Sequence, residues 1–332
     1  MSLHGKIYER RLVWRHRIGL IFEWVCRIAT FLSLGILAVL LFSIGRQAFG
    51  WLGWGFLTRS NSYEADQAGI MAGLIGSLWL VGLTAIMSVP LGVGAAVYLE
   101  EYAKPSRLTK FIQLNISNLA GVPSIVYGIL GFTVFVRMFG LRDRPERFTC
   151  SLGFAQFSFE LPLGRVVLSG ACTLTLLSLP VVIIAAQEAL RSVPPSLRHA
   201  SLALGATKWQ TVRYQVLPAA LPGIMTGVIL SLSRAIGETA PLAVLGAAAQ
   251  LSFAPGRIHS IGDAVQHPSK ILQAPFDQFT AIPLQIYGWI NEPKAAFEHV
   301  AAAGIIVLLI VLLLMNGTAI FIRQRFQKKI RW

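Results

Sequence analysis

The chain has 332 residues, of which 55% are hydrophobic and only 13% charged, and its mean hydropathy is +0.63. A soluble domain carries about twice that charge, so the composition excludes an ordinary water-soluble globule and points to an integral membrane protein whose apolar surface faces lipid. The net charge of +14 comes from 29 Lys and Arg against 15 Asp and Glu; in a chain that crosses a membrane repeatedly, that balance reads as charge held on the cytoplasmic side, not as a nucleic-acid surface.

Residues 1–27 are basic and then turn apolar, as a signal peptide does, but no small-x-small cleavage site follows the apolar run. They are read as a cytoplasmic N-terminal segment leading into a retained first span. A span needs about 20 apolar residues. The uncharged runs are 28–45, 67–99, 111–136, 166–187, 214–233 with its continuation 239–256, and 300–322. The first run is short and borrows from 20–26. The fifth is expected to be one helix over 222–249, interrupted only by Arg234 and Glu238. The result is an all-α integral membrane protein with six transmembrane helices over 28–322 and a basic cytoplasmic tail at 323–332.

With the N-terminus inside, eighteen Lys and Arg fall in inner segments and ten in outer ones. The bias places both termini in the cytoplasm. It also places there a polar insert, 187–222, between spans four and five. One outer loop resists the rule: 137–165 holds five Arg against Asp143, Glu146 and Glu160. It reads either as a solvated loop touching lipid headgroups or as a basic vestibule that draws anions inward. Weak alternation over 149–160 suggests a short hairpin. The last outer loop, 257–298, is rich in proline. Its apolar piece 279–290 is too short to span, and is expected at the interface or re-entering part-way, with Tyr287 and Trp289 at headgroup level.

Several chemistries leave no mark. There is no HExxH motif, and the six His show no metal-ligand spacing. All four Asp lie in loops, which argues against aspartate-dependent intramembrane proteases and Asp-rich prenyl transferases. Cys26, Cys150 and Cys172 are too few and scattered for a disulfide framework. No GxxxxGK[ST] occurs, so any ATP used must be bound by another chain.

The insert contains a helix-like block over 196–204, then Gly205, which permits the positive φ of a sharp helix end. Thr207 is placed to N-cap a second short helix. Pro218 and Pro222 are expected to stop that element and start the fifth span. From periodicity alone the insert is equally an amphipathic hairpin on the membrane surface or a docking element.

Its residues, SLRHASLALGATKWQTVRYQVLPAALPGI, resemble the cytoplasmic coupling loop of bacterial ABC importer permeases. That family's pattern is Glu-Ala-Ala, three residues, Gly, nine residues, Ile-x-Leu-Pro. Here it reads His199, Ala200, Ser201, then Gly205 and Ala206, then Gln215, Val216, Leu217 and Pro218, with His199, Ser201 and Gln215 departing from it. Further on, SRAIGETAPL at 233–242, AGVPSIVYGILG at 120–131, YLEEYA at 98–103 and IPLQIYGW at 282–289 are similar to phosphate importer permeases, the first and last to the PstA type of their two-permease pair. The resemblance implies ABC ATPase partners that carry ATP and Mg, a second phosphate permease subunit, and a periplasmic or extracytoplasmic phosphate-binding protein. It implies no cofactor on this chain, no catalysis by it, surrounding membrane lipid, and residence in the bacterial inner (plasma) membrane.

Arg234 and Glu238 stand four apart, on one helix face, with Arg234 about 18 Å beyond Pro222 and so near mid-membrane. A charge there costs several kcal/mol unless paired or wetted. The pair is either a neutralising ion pair or part of a polar pathway in which Arg234 meets the anion, Glu238 keeps it reversible, and Thr239 lies adjacent. Pro123 breaks the third span, with Ser124 and Tyr127 as polar contributors to the path. Gly223, Gly227 and Ser231 repeat at four-residue spacing, which suits close helix packing within this chain or against the second permease. Alternatives open here are a permease for another oxyanion such as sulfate or molybdate, a membrane enzyme, and a structural scaffold.

Overall fold

The computed structural model describes residues 3–138, 149–152, 155–158, 163–248, 251–256 and 273–327. Most of the arginine-rich loop, the stretch with Arg257, Pro268 and Lys270, and the tail residues Lys328, Lys329 and Arg331 lie outside the described residues. Among the described residues the architecture is helical, apart from one antiparallel hairpin. Its strands, β1 (Thr149–Leu152) and β2 (Ala155–Ser158), pair Thr149 with Ser158, where the alternating pattern places a hairpin.

Among the described residues five helices are long and apolar enough to cross a bilayer, and a bent pair makes a sixth crossing if its two halves are one span. Helix α1 (Leu3–Ala48) runs 46 residues, about 69 Å, so the expected boundary at residue 27 falls inside an unbroken helix. A short α2 (Trp54–Thr58) follows. Helix α3 (Met71–Val97) ends in a π turn, Tyr98–Tyr102. Helix α4 (Arg107–Ala120) and helix α5 (Ser124–Gly131), which runs on into a π turn (Phe132–Met138), are bent by 103° at Gly121–Pro123. Pro123 thus does more than kink the third run. Lacking an N–H and forcing extended backbone before it, it separates two helices.

Helix α6 (Val167–Arg191) is the centre of the bundle, packed on α3 and on α9 (Leu217–Gly237). Between them lie α7 (Pro195–Ala203), α8 (Lys208–Thr211) and a π turn (Val212–Val216). The prolines do not stop this element. Leu217 N–H bonds to Val212 C=O, five residues back, and the chain continues helically from Lys208 to Gly237. The wider turn absorbs the donor that Pro218 lacks.

The fifth run, expected as one helix over 222–249, is broken. Helix α9 ends at Gly237, Glu238 is extended (φ −78°, ψ 113°), and a separate α10 (Ala240–Leu245) begins with Pro241 in its first turn. Helix α10 packs on α5 so closely that a Cβ at Gly128 would fall 2.7 Å from Pro241 Cα. Helix α11 (Ile282–Ile290) and the last span α12 (Ala296–Gln327) complete the chain.

Helix α11 departs from the interfacial expectation for Trp289. That side chain is fully buried, and its Nε1–H donates to Asn61 Oδ1 at 2.8 Å. Buried Gln285 is held by the start of α3: its Nε2 donates to Gly69 C=O at 2.9 Å, and its Oε1 accepts from Gly73 N–H at 3.1 Å. A buried indole needs a partner for its N–H, and Asn61 supplies it. Tyr287 is exposed.

Candidate functional site

Arg234 occupies the last turn of α9, just before the break. Its Nε donates to Glu238 Oε1 at 3.2 Å, and the two side chains are 56% and 15% exposed. Depth follows from neighbours. Helices α9 and α6 run antiparallel, and a Cβ at Gly223 or Gly227 would meet Cβ of Ala189 or Ala185 at 2.8 and 2.2 Å. Ser231 Oγ donates to Ser178 C=O at 3.4 Å, about 17 Å along α6 from its start. Arg234 lies one turn beyond Ser231, still within the length of α6. The small-residue row therefore packs within this chain, against α6.

Thr239 begins α10, its carbonyl accepting from Ala243 N–H at 3.0 Å. Next to Arg234, the Ser233 hydroxyl meets Ile229 C=O at 2.7 Å and also Asn316 Oδ1 of α12. One ion pair and one serine–asparagine contact thus flank the end of α9. A guanidinium held by a single carboxylate and more than half exposed retains donors for an anion.

The second break holds the other expected pathway residues. Ser124 is half-buried at the start of α5. Tyr127 is buried, and its hydroxyl donates to Leu119 C=O at 2.9 Å. That bond ties α5 to the last turn of α4 across Pro123, so Tyr127 staples the bend. The structure unites the two breaks through the contact of α5 with α10.

At the far end of the bundle the insert is a helix–turn–helix. Gly205 has φ +85°, as its place after α7 requires. Thr207 caps α8 in a capping box: Gln210 N–H donates to Thr207 Oγ1 at 3.3 Å, and Thr207 N–H donates to Gln210 Oε1 at 2.8 Å. A groove of about 450 Å³ runs between Leu197, Ala200, Ser201, Leu204 and Ala206 on one side and Gln210, Tyr214 and Gln215 on the other. Ser201 and Thr211 hydroxyls lie 2.9 Å apart. His199 is exposed and outside the groove lining, Leu204 is 89% exposed, and Leu217 and Pro218 are half-buried where α9 begins.

Two residues that patterning passes over hold this insert in place. Glu100 and Glu101, in the π turn after α3, form ion pairs with Arg191 and Arg198 at 2.9 and 2.7 Å. The available signal is the doubled Glu in an otherwise apolar stretch, YLEEYA, ninety residues before its partners. Pairing at that separation has no period to reveal it.

Residues 88–332 match the family model described as "binding-protein-dependent transport system inner membrane component". Among curated relatives, the chain is similar to phosphate transport system permease protein PstA 1 of Mycobacterium tuberculosis (strain H37Rv), at 36% identity over 82% of this chain and 78% of the relative. It is 28% identical to phosphate transport system permease protein PstA of Haemophilus influenzae, over 96% of this chain and 97% of that one. Among solved structures it shares the fold of a bacterial alginate ABC transporter, determined in complex with an alginate pentasaccharide-bound periplasmic protein. The TM-score there is 0.54 at 16% identity, covering 99% of each chain. A chain with five long apolar helices, a bent helix pair and this helix–turn–helix, matched over these lengths, belongs to the family of binding-protein-dependent transport system inner membrane components, the permease subunits of ABC transporters.

Proposed function

We propose that the chain is the permease subunit of an ATP-driven importer that carries inorganic phosphate inward across the bacterial plasma membrane. The observation that carries this reading is Arg234, paired with Glu238 at a helix break that falls within the length of α6. Discontinuous helices are where transporters gather polar groups for a substrate, and a guanidinium is a planar fork suited to phosphate oxygens. Glu238 supplies the competing acceptor: it neutralises Arg234 when no anion is present and speeds release when one is. The phosphate names of the relatives support this cargo.

The helix–turn–helix faces the cytoplasm in this reading and docks ABC ATPase subunits, which bind ATP and Mg. A second phosphate permease subunit completes the pathway, and a periplasmic phosphate-binding protein delivers the anion. The test is uptake of labelled phosphate by the complex reconstituted with its binding protein. Arg234→Gln should lower uptake about tenfold or more, the scale of a lost charge-assisted hydrogen bond, with the complex still assembled. Normal uptake by that variant removes Arg234 from the pathway. Sulfate or molybdate displacing phosphate at equal concentration would favour the other oxyanion.

A further inference from the structure

We infer that Glu101 and Arg198 form a positioning latch through which movement of the coupling helix is delivered directly to the second span. The latch rests on the reading of α7 as the element that meets the ATPase. Arg198 lies in the middle of α7. Its Nη2 and Nε donate to Glu101 Oε1 at 2.7 and 3.1 Å, its Nη1 to Val193 C=O at 2.8 Å, and its Nη2 also to Leu190 C=O at 2.8 Å. One guanidinium therefore ties together α7, the last turn of α6 and the end of α3. Its side chain is 22% exposed and that of Glu101 is 9%, so water screens the pair little.

The rest of the turn reinforces the junction. Glu100 accepts from Arg191 Nε at 2.9 Å through both oxygens, which fastens the same turn to α6. The Lys208 ammonium lies 5.1 Å from the centre of the Tyr102 ring, which reaches α8. The turn is closed by Ala103 N–H on Tyr98 C=O at 2.8 Å, and both of its carboxylates pair with arginines at the insert end of the bundle.

Helix α7 itself has no buried residue. Half-buried Leu197 packs against the hydrophobic core, and the polar links of Arg198 add to that hold. When α7 moves, the two bonds from Arg198 to Glu101 carry the end of α3 along. Helix α3 is a single 27-residue rod whose far end is clamped by Gln285. The fifth span receives the same movement through the chain, from α8 into α9. Two spans are thus driven from one docking element.

The test uses the whole complex in proteoliposomes and reads phosphate taken up per ATP hydrolysed. Glu101→Gln and Arg198→Gln should each lower that ratio about tenfold, a typical size for coupling between sites, while hydrolysis continues. The double variant should be no worse than either single one, because the two act as a unit. Glu101→Asp, which keeps the charge but shortens the reach, should fall between. An unchanged ratio in assembled complexes overturns the latch. So does a loss of assembly or thermal stability with a normal ratio in the complexes that remain, since that is what a merely structural pair gives. The unmutated complex separates this from the cargo reading: if it carries another oxyanion, the phosphate assignment fails and the ratio is read with that anion.

Discussion

Arg234 is tolerable in this bundle because three things coincide at one turn of α9. Glu238 answers its charge at 3.2 Å, the helix ends at Gly237, and more than half of the guanidinium side chain stays accessible. Glu238→Gln removes the competing acceptor without removing the fork. Anion should then be held longer: maximal uptake is expected to fall about tenfold, with a lower apparent KM, the pattern of over-stabilised binding. Uptake kinetics on the reconstituted complex check both signs together. Four residues before Ser231, Gly227 serves a different purpose. A Cβ there would sit 2.2 Å from Ala185 Cβ, so Gly227→Val forces α6 and α9 apart at a cost of about 1–3 kcal/mol. The purified single chain in detergent should melt several degrees lower, and Ala185→Gly should restore part of the loss. An unchanged melting midpoint would mean that Gly227 faces another subunit.

At the scale of elements, the sequence announces some turns clearly and hides others. Gly205 and Thr207 are legible because φ > 0 and a side-chain cap each demand a short list of residue types. The break between α9 and α10 has its own punctuation, Gly237 followed by Pro241. Hydropathy masks it, since both sides of the break are equally apolar and a run-length reading joins them. Pro218 misleads in the opposite direction. A proline reads as a stop unless a π turn takes up its missing donor, and nothing local in VRYQVLP specifies that turn. Gly205 gives the cleanest test of an element. No atom lies within 4 Å of its would-be Cβ, so Gly205→Ala adds backbone strain alone, about 1–2 kcal/mol. The turn between α7 and α8 should open, and co-purification of the ATPase should weaken about tenfold. Gly205→Asn, whose side chain tolerates φ > 0, should retain most of it. Equal losses in both variants would show that the turn's conformation is not what the ATPase reads.

For the whole molecule, composition and run length led to six crossings, and five long apolar helices plus one bent pair answer to them, because a bilayer imposes one length on every helix that spans it. They did not reveal the break in the fifth run, nor that it meets the break at Pro123, α5 against α10, since that contact joins residues more than a hundred positions apart. Where the two broken helices meet, Tyr127, Leu242 and Leu245 join the hydrophobic core, and the outer faces of the bundle are apolar too. The best apolar window of α1 has none of its residues buried within the chain, and that of α12 has 6%. The proposed direction across the membrane rests on charge alone. Lys104, Arg107 and Lys110 flank the start of α4, and Arg198, Lys208 and Arg213 line the insert, at the same end of the bundle. The positive-inside rule assigns that end to the cytoplasm. In a background with Cys26, Cys150 and Cys172 replaced, a cysteine at exposed Leu204 should react with an impermeant thiol reagent only after the cells are opened. A cysteine at exposed Tyr63, beside the start of α3, should react in intact spheroplasts. The opposite pattern would invert the topology and place the helix–turn–helix out of reach of any cytoplasmic ATPase, which would end the coupling reading at a stroke.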